Sequence, residues 1–335
     1  MIFVTGGTGF LGKNLIPRLA AHGHAIRALV RHPDLHPWLQ QYNVEIVQGD
    51  LQDTAAIQQG IAGCRYVVHA AGLFRMWGKQ AEFERANVLG TINVAEAAAT
   101  AGVERFVHIS TIAVVGNPAP GHIIDETHPA HPADPYQRSK LAGEHVIQRY
   151  IFERGLPAII LRPGAYYGPH GHYAFNRLFF EDPMKGLLIK VDGGRHVIFP
   201  VYIGDVAAAV CNALHCGEVG EIYNVCGDPL THNEANRIIS DEAGISHFRF
   251  NAPRRAMITL ARIWTWLSEY TGVEPYYPLN LRTYVFNDWQ ASSQKARDEL
   301  YFRPTSFREG VRQTLAWYRE IGFHPILPSV SFLRK

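Results

Sequence analysis

The chain has 335 residues, 47% of them apolar and 19% charged, which excludes disorder as its main state and allows one large domain or two intimate ones. With 32 Lys and Arg against 30 Asp and Glu, the formal charge of +2 gives no global footprint for nucleic acid. The 4 cysteines, Cys64, Cys211, Cys216 and Cys226, form no Cys-x-x-Cys pair, which argues against a disulfide scaffold or a structural zinc site and fits a reducing cytoplasm.

The N-terminus reads as a strand, Ile2–Thr5, rather than a signal peptide. It runs into Gly6-Gly7-Thr8-Gly9-Phe10-Leu11-Gly12. A helix follows over 11–22, with Pro17 predicting a kink and Gly23 a stop. Further strands are expected at 25–30, 44–48, 66–70 and 106–109, with helices over 54–62 and 80–101 between them. These short β-branched runs suit strands buried on both faces of a parallel sheet. Their alternation with helices predicts an α/β doubly wound parallel sheet, a Rossmann fold. The dinucleotide-binding domain is placed at 1–170. Most of 171–335 is assigned to a smaller C-terminal substrate lobe, with the option that elements from 200–230 return to the first domain. Loops are expected at 170–172, 192–194 and 200–205. No run of about 18 uncharged apolar residues supports a spanning helix.

Gly6, Gly9 and Gly12 sit between a strand and a helix, where small residues let the backbone approach a pyrophosphate. Phe10 and Leu11 belong to the same turn. Beyond the second strand the sequence carries no acid to hold a ribose. Arg31 stands there instead, suited to a 2′-phosphate, so NADP(H) is favoured over NAD(H). Asp50 is placed to accept from an adenine amino group, although an Asp there also makes an ordinary turn.

Asp134-Pro135-Tyr136-Gln137 opens another helix, with Asp134 as N-cap, Pro135 at the first position and Gln137 completing a capping box. Tyr136 and Lys140, four apart, share a helix face. A tyrosine titrates near 10, so a base working near neutrality needs a shift of roughly three units, or about 4 kcal/mol. The helix dipole contributes only about 0.3–1 kcal/mol, and a neighbouring ammonium must supply much of the rest. Ser110 and Thr111 end the fifth strand, at the sheet edge where ligands bind, and a hydroxyl there can donate to a carbonyl oxygen. Asn87 is placed to anchor a proton-carrying water behind the lysine.

These residues, taken in order, resemble the extended branch of the short-chain dehydrogenase/reductase superfamily, also called the NAD-dependent epimerase/dehydratase family. The resemblance covers nearly the whole chain. It rests on the glycine turn, Gly49-Asp50-Leu51, His69-Ala70-Ala71, Asn87-Val88-Leu89-Gly90-Thr91, Ser110-Thr111, Tyr136 with Lys140, Leu161-Arg162-Pro163-Gly164, Tyr167-Gly168-Pro169 and Gly204-Asp205-Val206-Ala207. It implies Tyr136 as general acid/base and Lys140 as the group that lowers its pKa and holds the nicotinamide ribose. Thr111 matches the catalytic Ser/Thr, with Ser110 beside it, and Asn87 the relay residue. Leu51, Ala70, Ala71, Gly72, Pro163 and Gly164 fall on cofactor-binding segments. An acid is common in NAD-using relatives where Val30 stands here. That departure is similar to the dihydroflavonol-reductase-like members.

Two reactions stay open. One is reduction or oxidation of a carbonyl/alcohol pair on a fairly bulky, partly apolar substrate, with Phe74, Trp77 and Tyr167 as walls. The other is a nucleotide-sugar epimerase or dehydratase with retained NAD, or a hopanoid-associated relative, with Arg195, or less strongly Arg282, on a diphosphate. A redox sensor that binds NADP without catalysis is a third class, opposed by the complete Tyr/Lys/Thr set. The 17 histidines lie largely in loops without metal-ligand spacing, and no metal is expected. The resemblance implies a homodimer. Residues 254–270, with Trp264 and Trp266 behind two arginines, offer a peripheral membrane contact.

Overall fold

A computed structural model describes residues 1–119 and 121–326. Its centre is a seven-stranded parallel sheet, β1 (Ile2–Thr5), β2 (Ile26–Val30), β3 (Glu45–Gln48), β4 (Tyr66–His69), β5 (Arg105–Ile109), β6 (Ala158–Pro163) and β7 (Ile222–Val225). The order across the sheet is β7-β6-β5-β4-β1-β2-β3, so the winding direction reverses between β1 and β4. The inner strands β1, β4 and β6 are buried from end to end, while β2 and β5 each keep one half-buried arginine, Arg27 and Arg105.

Helices cover both faces. On one side lie α1 (Phe10–Ala21) and, from much later in the chain, a helix at Ile203–Ala213, packed over Leu15, Ile16, Val206 and Val210. On the other lie α2 (Thr54–Ile61), α3 (Gly90–Ala101) and α4 (Pro135–Arg154), packed over Phe3, Ile57, Val94 and Ile147. In chain order the helix at Ile203–Ala213 is α5, followed by α6 (His232–Ala243), α7 (Arg254–Thr271) and α8 (Phe307–Glu320). A separate apolar cluster holds the second lobe, with Tyr167, Phe180, Ile239 and Leu315 from four different segments.

The helix expected over 11–22 is α1, and it continues through Pro17 to Ala21. Two local expectations are corrected. The chain does not loop at 200–205: Pro200–Tyr202 pairs in parallel with Ala165–Tyr167 and runs directly into α5, because Val201 and Ile203 are fully buried. The helix over 80–101 contains a π-helical turn at Arg85–Leu89, centred on Asn87. Such turns place an extra residue on the helix and recur at functional sites. Among the described residues no helix is long and apolar enough to cross a membrane.

Candidate active site

A cavity of about 910 Å³ begins at the reversal point of the sheet and runs into the cleft beside the second lobe. Open α/β sheets bind ligands at this edge, where diverging connections leave a crevice.

The glycine turn forms one end. Gly6 has φ +76, and a Cβ on it would lie 2.6 Å from the Ala71 nitrogen. Only glycine fits both the backbone and the space. Gly9 is the N-cap of α1 and offers no side chain to the first-turn N–H groups, leaving them free for an anion. Gly6, Gly9, Phe10 and Leu11 line the cavity. Gly12 does not; a Cβ there would stand 2.2 Å from the Gly7 carbonyl oxygen, so its place is the close packing of α1 on the turn. Ala70, Ala71 and Gly72 form the facing wall. The Thr5 hydroxyl accepts from the Ala71 N–H at 3.2 Å and holds that wall in register.

Arg31, Asp50 and Leu51 line the far end of the same recess. Arg31 is exposed and has no ion-pair partner among the described residues. One Asp50 oxygen accepts from the Gln52 N–H at 2.7 Å, the turn contact foreseen for it. Pro163 and Gly164 line the other end, where a Cβ on Gly164 would lie 2.3 Å from the Phe199 carbonyl oxygen. A backbone cradle that admits no side chains, free helix N–H groups and an unpaired guanidinium fit a dinucleotide.

Tyr136, Lys140 and Thr111 meet midway along the cavity. The Asp134 carboxylate accepts from the Gln137 N–H at 2.8 Å and starts α4, so Tyr136 stands on its first turn. The Gln137 side chain accepts from the N–H of Ala133, one residue before the N-cap, so the expected capping box is displaced by one position. Burial pushes the Tyr136 hydroxyl well above its ordinary pKa; the Thr111 hydroxyl, within hydrogen-bonding reach, pulls it down, and Asp134 adds to the rise. Lys140 is buried, donates to the Ile109 carbonyl at 2.6 Å, and is pushed down to about 8 by burial, against the upward pull of Glu144.

Ser110 also lines the cavity, but its hydroxyl is engaged elsewhere. Its hydroxyl donates to Glu144 at 2.5 Å, and Glu144 in turn holds Arg162 through contacts of 2.9 and 2.6 Å. That ion pair is buried and ties α4 to β6. Asn87 uses its amide on protein rather than leaving it free: Oδ1 accepts from the Leu73 N–H, and Nδ2 donates to the Leu73 carbonyl and to Ser139 Oγ. Ser139 Oγ donates to the Tyr136 carbonyl, so Asn87 clamps the loop after β4 onto α4.

The substrate end is apolar. Phe74 lies 4.8 Å, ring to ring, from Tyr136, and Tyr173 lies 5.5 Å from Phe74. Three residues expected at the substrate, the walls Tyr167 and Trp77 and the diphosphate anchor Arg195, are elsewhere. Tyr167 is fully buried in the second lobe's core, and Tyr166 lines the cavity instead, because neighbours in a strand point to opposite faces. Trp77 does not line the cavity; Met76, one residue earlier, does. Arg195 is exposed and paired with Asp192 at 2.9 Å, outside the cavity. The sequence reading missed Tyr166, Tyr173, Phe179, Tyr284 and His232. Strand alternation was the available signal for Tyr166; the others come from segments that only folding brings together. Among the described residues no cluster of His, Cys, Asp or Glu could hold a metal.

Residues 2–226 match the NAD dependent epimerase/dehydratase family. The chain belongs to that family. It is therefore an enzyme of the extended short-chain dehydrogenase/reductase type that works with a nicotinamide dinucleotide. It is 31% identical over 307 residues, covering 89% of this chain and 90% of the relative, to the 4-hydroxy-2-methyl-3-oxo-4-farnesyl-3,4-dihydroquinoline-1-oxide ketoreductase of Stigmatella aurantiaca. It is 28% identical to the ceramide reductase of Caulobacter vibrioides, covering 97% of this chain and 96% of that one. Among solved structures it is similar to a double mutant of the dTDP-glucose 4,6-dehydratase DesIV from Streptomyces venezuelae with NAD bound. There the TM-score is 0.78 at 26% identity, over 97% of this chain and 98% of that chain.

Proposed function

We propose that this family member is an NADP(H)-dependent reductase, or in reverse a dehydrogenase, of a bulky and largely apolar ketone. The observation that carries the reading is one continuous cavity with an unpaired Arg31 at one end, Tyr136 and Thr111 in the middle, and an aromatic wall of Phe74, Tyr166, Tyr173 and Phe179 at the other. The names of two relatives, a ketoreductase acting on a farnesylated ring system and a ceramide reductase, support an apolar carbonyl substrate.

The bound cofactor would supply the hydride to the carbonyl carbon. In this reading Thr111 holds the carbonyl oxygen, and Tyr136 delivers the proton that completes the alcohol. Lys140 sits one turn from Tyr136, and its ammonium favours the phenolate left behind. Lys140 also reaches the region of the nicotinamide ribose, between Ile109 and Gly72. Asn87 acts on this set through Ser139 and the Leu73 loop. Arg31 binds the 2′-phosphate. Of the two arginines that would anchor a diphosphate in the epimerase reading, Arg195 lies outside the cavity and Arg282 lines only the adjoining pocket.

The first experiment denatures the purified protein and identifies any released nucleotide. An empty protein that binds NADPH more tightly than NADH is the expected result. Stoichiometric NAD(H) would overturn the reductase reading in favour of a self-recycling epimerase. Replacing Tyr136 by Phe should lower kcat by about 10²–10⁴ while NADPH binding persists. Persistent turnover removes Tyr136 from the chemistry. Arg31→Ala should weaken NADPH binding by about ten- to a hundredfold and leave NADH unchanged. We also propose a homodimer through the outer faces of the helix over 80–101 and of α4, where Leu89, in the π-helical turn, and Phe152 are exposed. Phe152→Glu should then convert the protein to monomer in sedimentation.

A further inference from the structure

We propose that the outer face of α7 docks the protein on an anionic lipid bilayer, from which apolar substrate enters the reaction cavity through the pocket beneath that helix.

The first observation is where exposed apolar side chains lie. Among the described residues 18 large apolar side chains are exposed, and 8 of them fall in one stretch of the chain, between 248 and 276. On α7, Ile263, Trp266 and Tyr270 follow one another at helical spacing and share a face, with Leu267 beside them. Trp266 is 55% and Tyr270 75% exposed. The opposite face is occupied: Ala261 and Ser268 are buried, and Trp264 stacks on Tyr277 at 5.6 Å.

The second observation is charge. Arg255 and Arg262 flank the stripe, both exposed and both without an ion-pair partner among the described residues. Arg254, also exposed, stacks over Phe286 at 5.0 Å. The helix carries a single acid, Glu269. Tryptophan and tyrosine flanked by arginine, on a helix too polar to cross a bilayer, is the composition of a segment lying in the headgroup region.

The third observation decides for lipid over protein as occupant. Met257, Ile258 and Ala261 on the inner face of α7 roof a second pocket of about 100 Å³. Leu178, Phe179, His232, Leu281 and Val285 line both this pocket and the reaction cavity, so the two adjoin. The second pocket extends to Lys190 and the exposed Arg282, which puts cations at its outer side. A pocket that is mostly apolar, though Asp182 and Asn236 also line it, and that adjoins the cavity beneath a basic, aromatic helix suits a molecule that resides in lipid. A protein partner would have no use for it. The choice of substrate rests on the reductase reading; the docking itself does not.

The test sediments the full chain with vesicles of phosphatidylcholine alone and of phosphatidylcholine containing phosphatidylglycerol. Binding to the anionic vesicles that weakens with salt is expected. The triple substitution Ile263→Ser, Trp266→Ser, Tyr270→Ser should weaken it by about tenfold or more, and Arg255→Glu with Arg262→Glu should weaken it on anionic vesicles only. NADPH binding is the check that both variants are folded. Absence of vesicle binding, or binding unchanged in the triple variant, overturns the proposal. So does a wild-type oligomer that the triple variant dissociates, since the patch would then be a protein interface. Turnover of a short water-soluble ketone reads the reductase assignment separately, so either can fail alone.

Discussion

Lys140 shows how much of the site's character is a property of burial. In water a lysine titrates far above neutrality; here burial brings it to about 8 even with Glu144 one turn away pulling it up. The buried rings of His69 and His108 face it, and both are themselves held neutral, chiefly by burial and then by the lysine's charge. Between the folded value of about 8 and the ordinary 10.5, the unfolded chain carries a proton that the folded chain has released. Stability therefore rises with pH across that window and is lost as pH falls through it. Lys140→Met should flatten this rise in urea unfolding midpoints; a slope unchanged by the substitution would contradict the burial argument. Ser110 teaches a different lesson at this scale. Two adjacent hydroxyls follow β5 in extended backbone, where successive side chains point to opposite sides, so Thr111 meets Tyr136 while Ser110 meets Glu144.

At the scale of the element, α4 presents Tyr136 and Lys140 to the cavity from its first two turns. Its start is set by Asp134, which accepts from the Gln137 N–H and from the Tyr284 hydroxyl at 3.0 Å. Asp134→Ala should cost about 1 kcal/mol, the usual worth of an N-cap, and should lower kcat by letting Tyr136 fray. The two readouts are urea unfolding and NADPH turnover. Further along the helix, Glu144 and Arg162 form a buried pair with side-chain exposures of 1% and 6%. Glu144→Gln leaves the guanidinium without its counter-charge and should destabilise the fold by about 3–5 kcal/mol. A loss below 1 kcal/mol would show that water reaches the pair. The π-helical turn at Arg85–Leu89 is the other element with a functional position, since it sets the Asn87 amide against Leu73 and Ser139.

Across the whole molecule, buried neutral histidines make the fold acid-sensitive. Burial holds His69 at about 3 and His232 at about 4, against an ordinary 6.5. Their stabilising effect is complete above 6.5 and is lost as pH falls towards those values, because the unfolded chain takes up the protons first. Buried Asp134 and Asp205, raised mainly by burial, act with the opposite sign. His108 has both ring nitrogens buried and unpartnered among the described residues. His108→Leu should therefore reduce the drop in Tm between about pH 7 and 5. An equal drop in variant and wild type would assign the acid sensitivity elsewhere.

The sequence by itself determined the alternation of short apolar strands and helices, the glycine turn, the Tyr136 and Lys140 spacing and the family. These depend on local periodicity and on backbone conformations that few residues tolerate, and both are visible in a few consecutive letters. The tertiary structure took up the option the sequence left open, with β7 joining the first sheet and α5 covering it, and it alone decided that Tyr166 rather than Tyr167 faces the cavity and that Arg195 pairs with Asp192 outside it. It also brought Tyr173, Phe179, His232 and Tyr284 to one wall. Those outcomes depend on which face of an element meets another segment a hundred residues away. A shift of one residue reverses that face without changing composition or period.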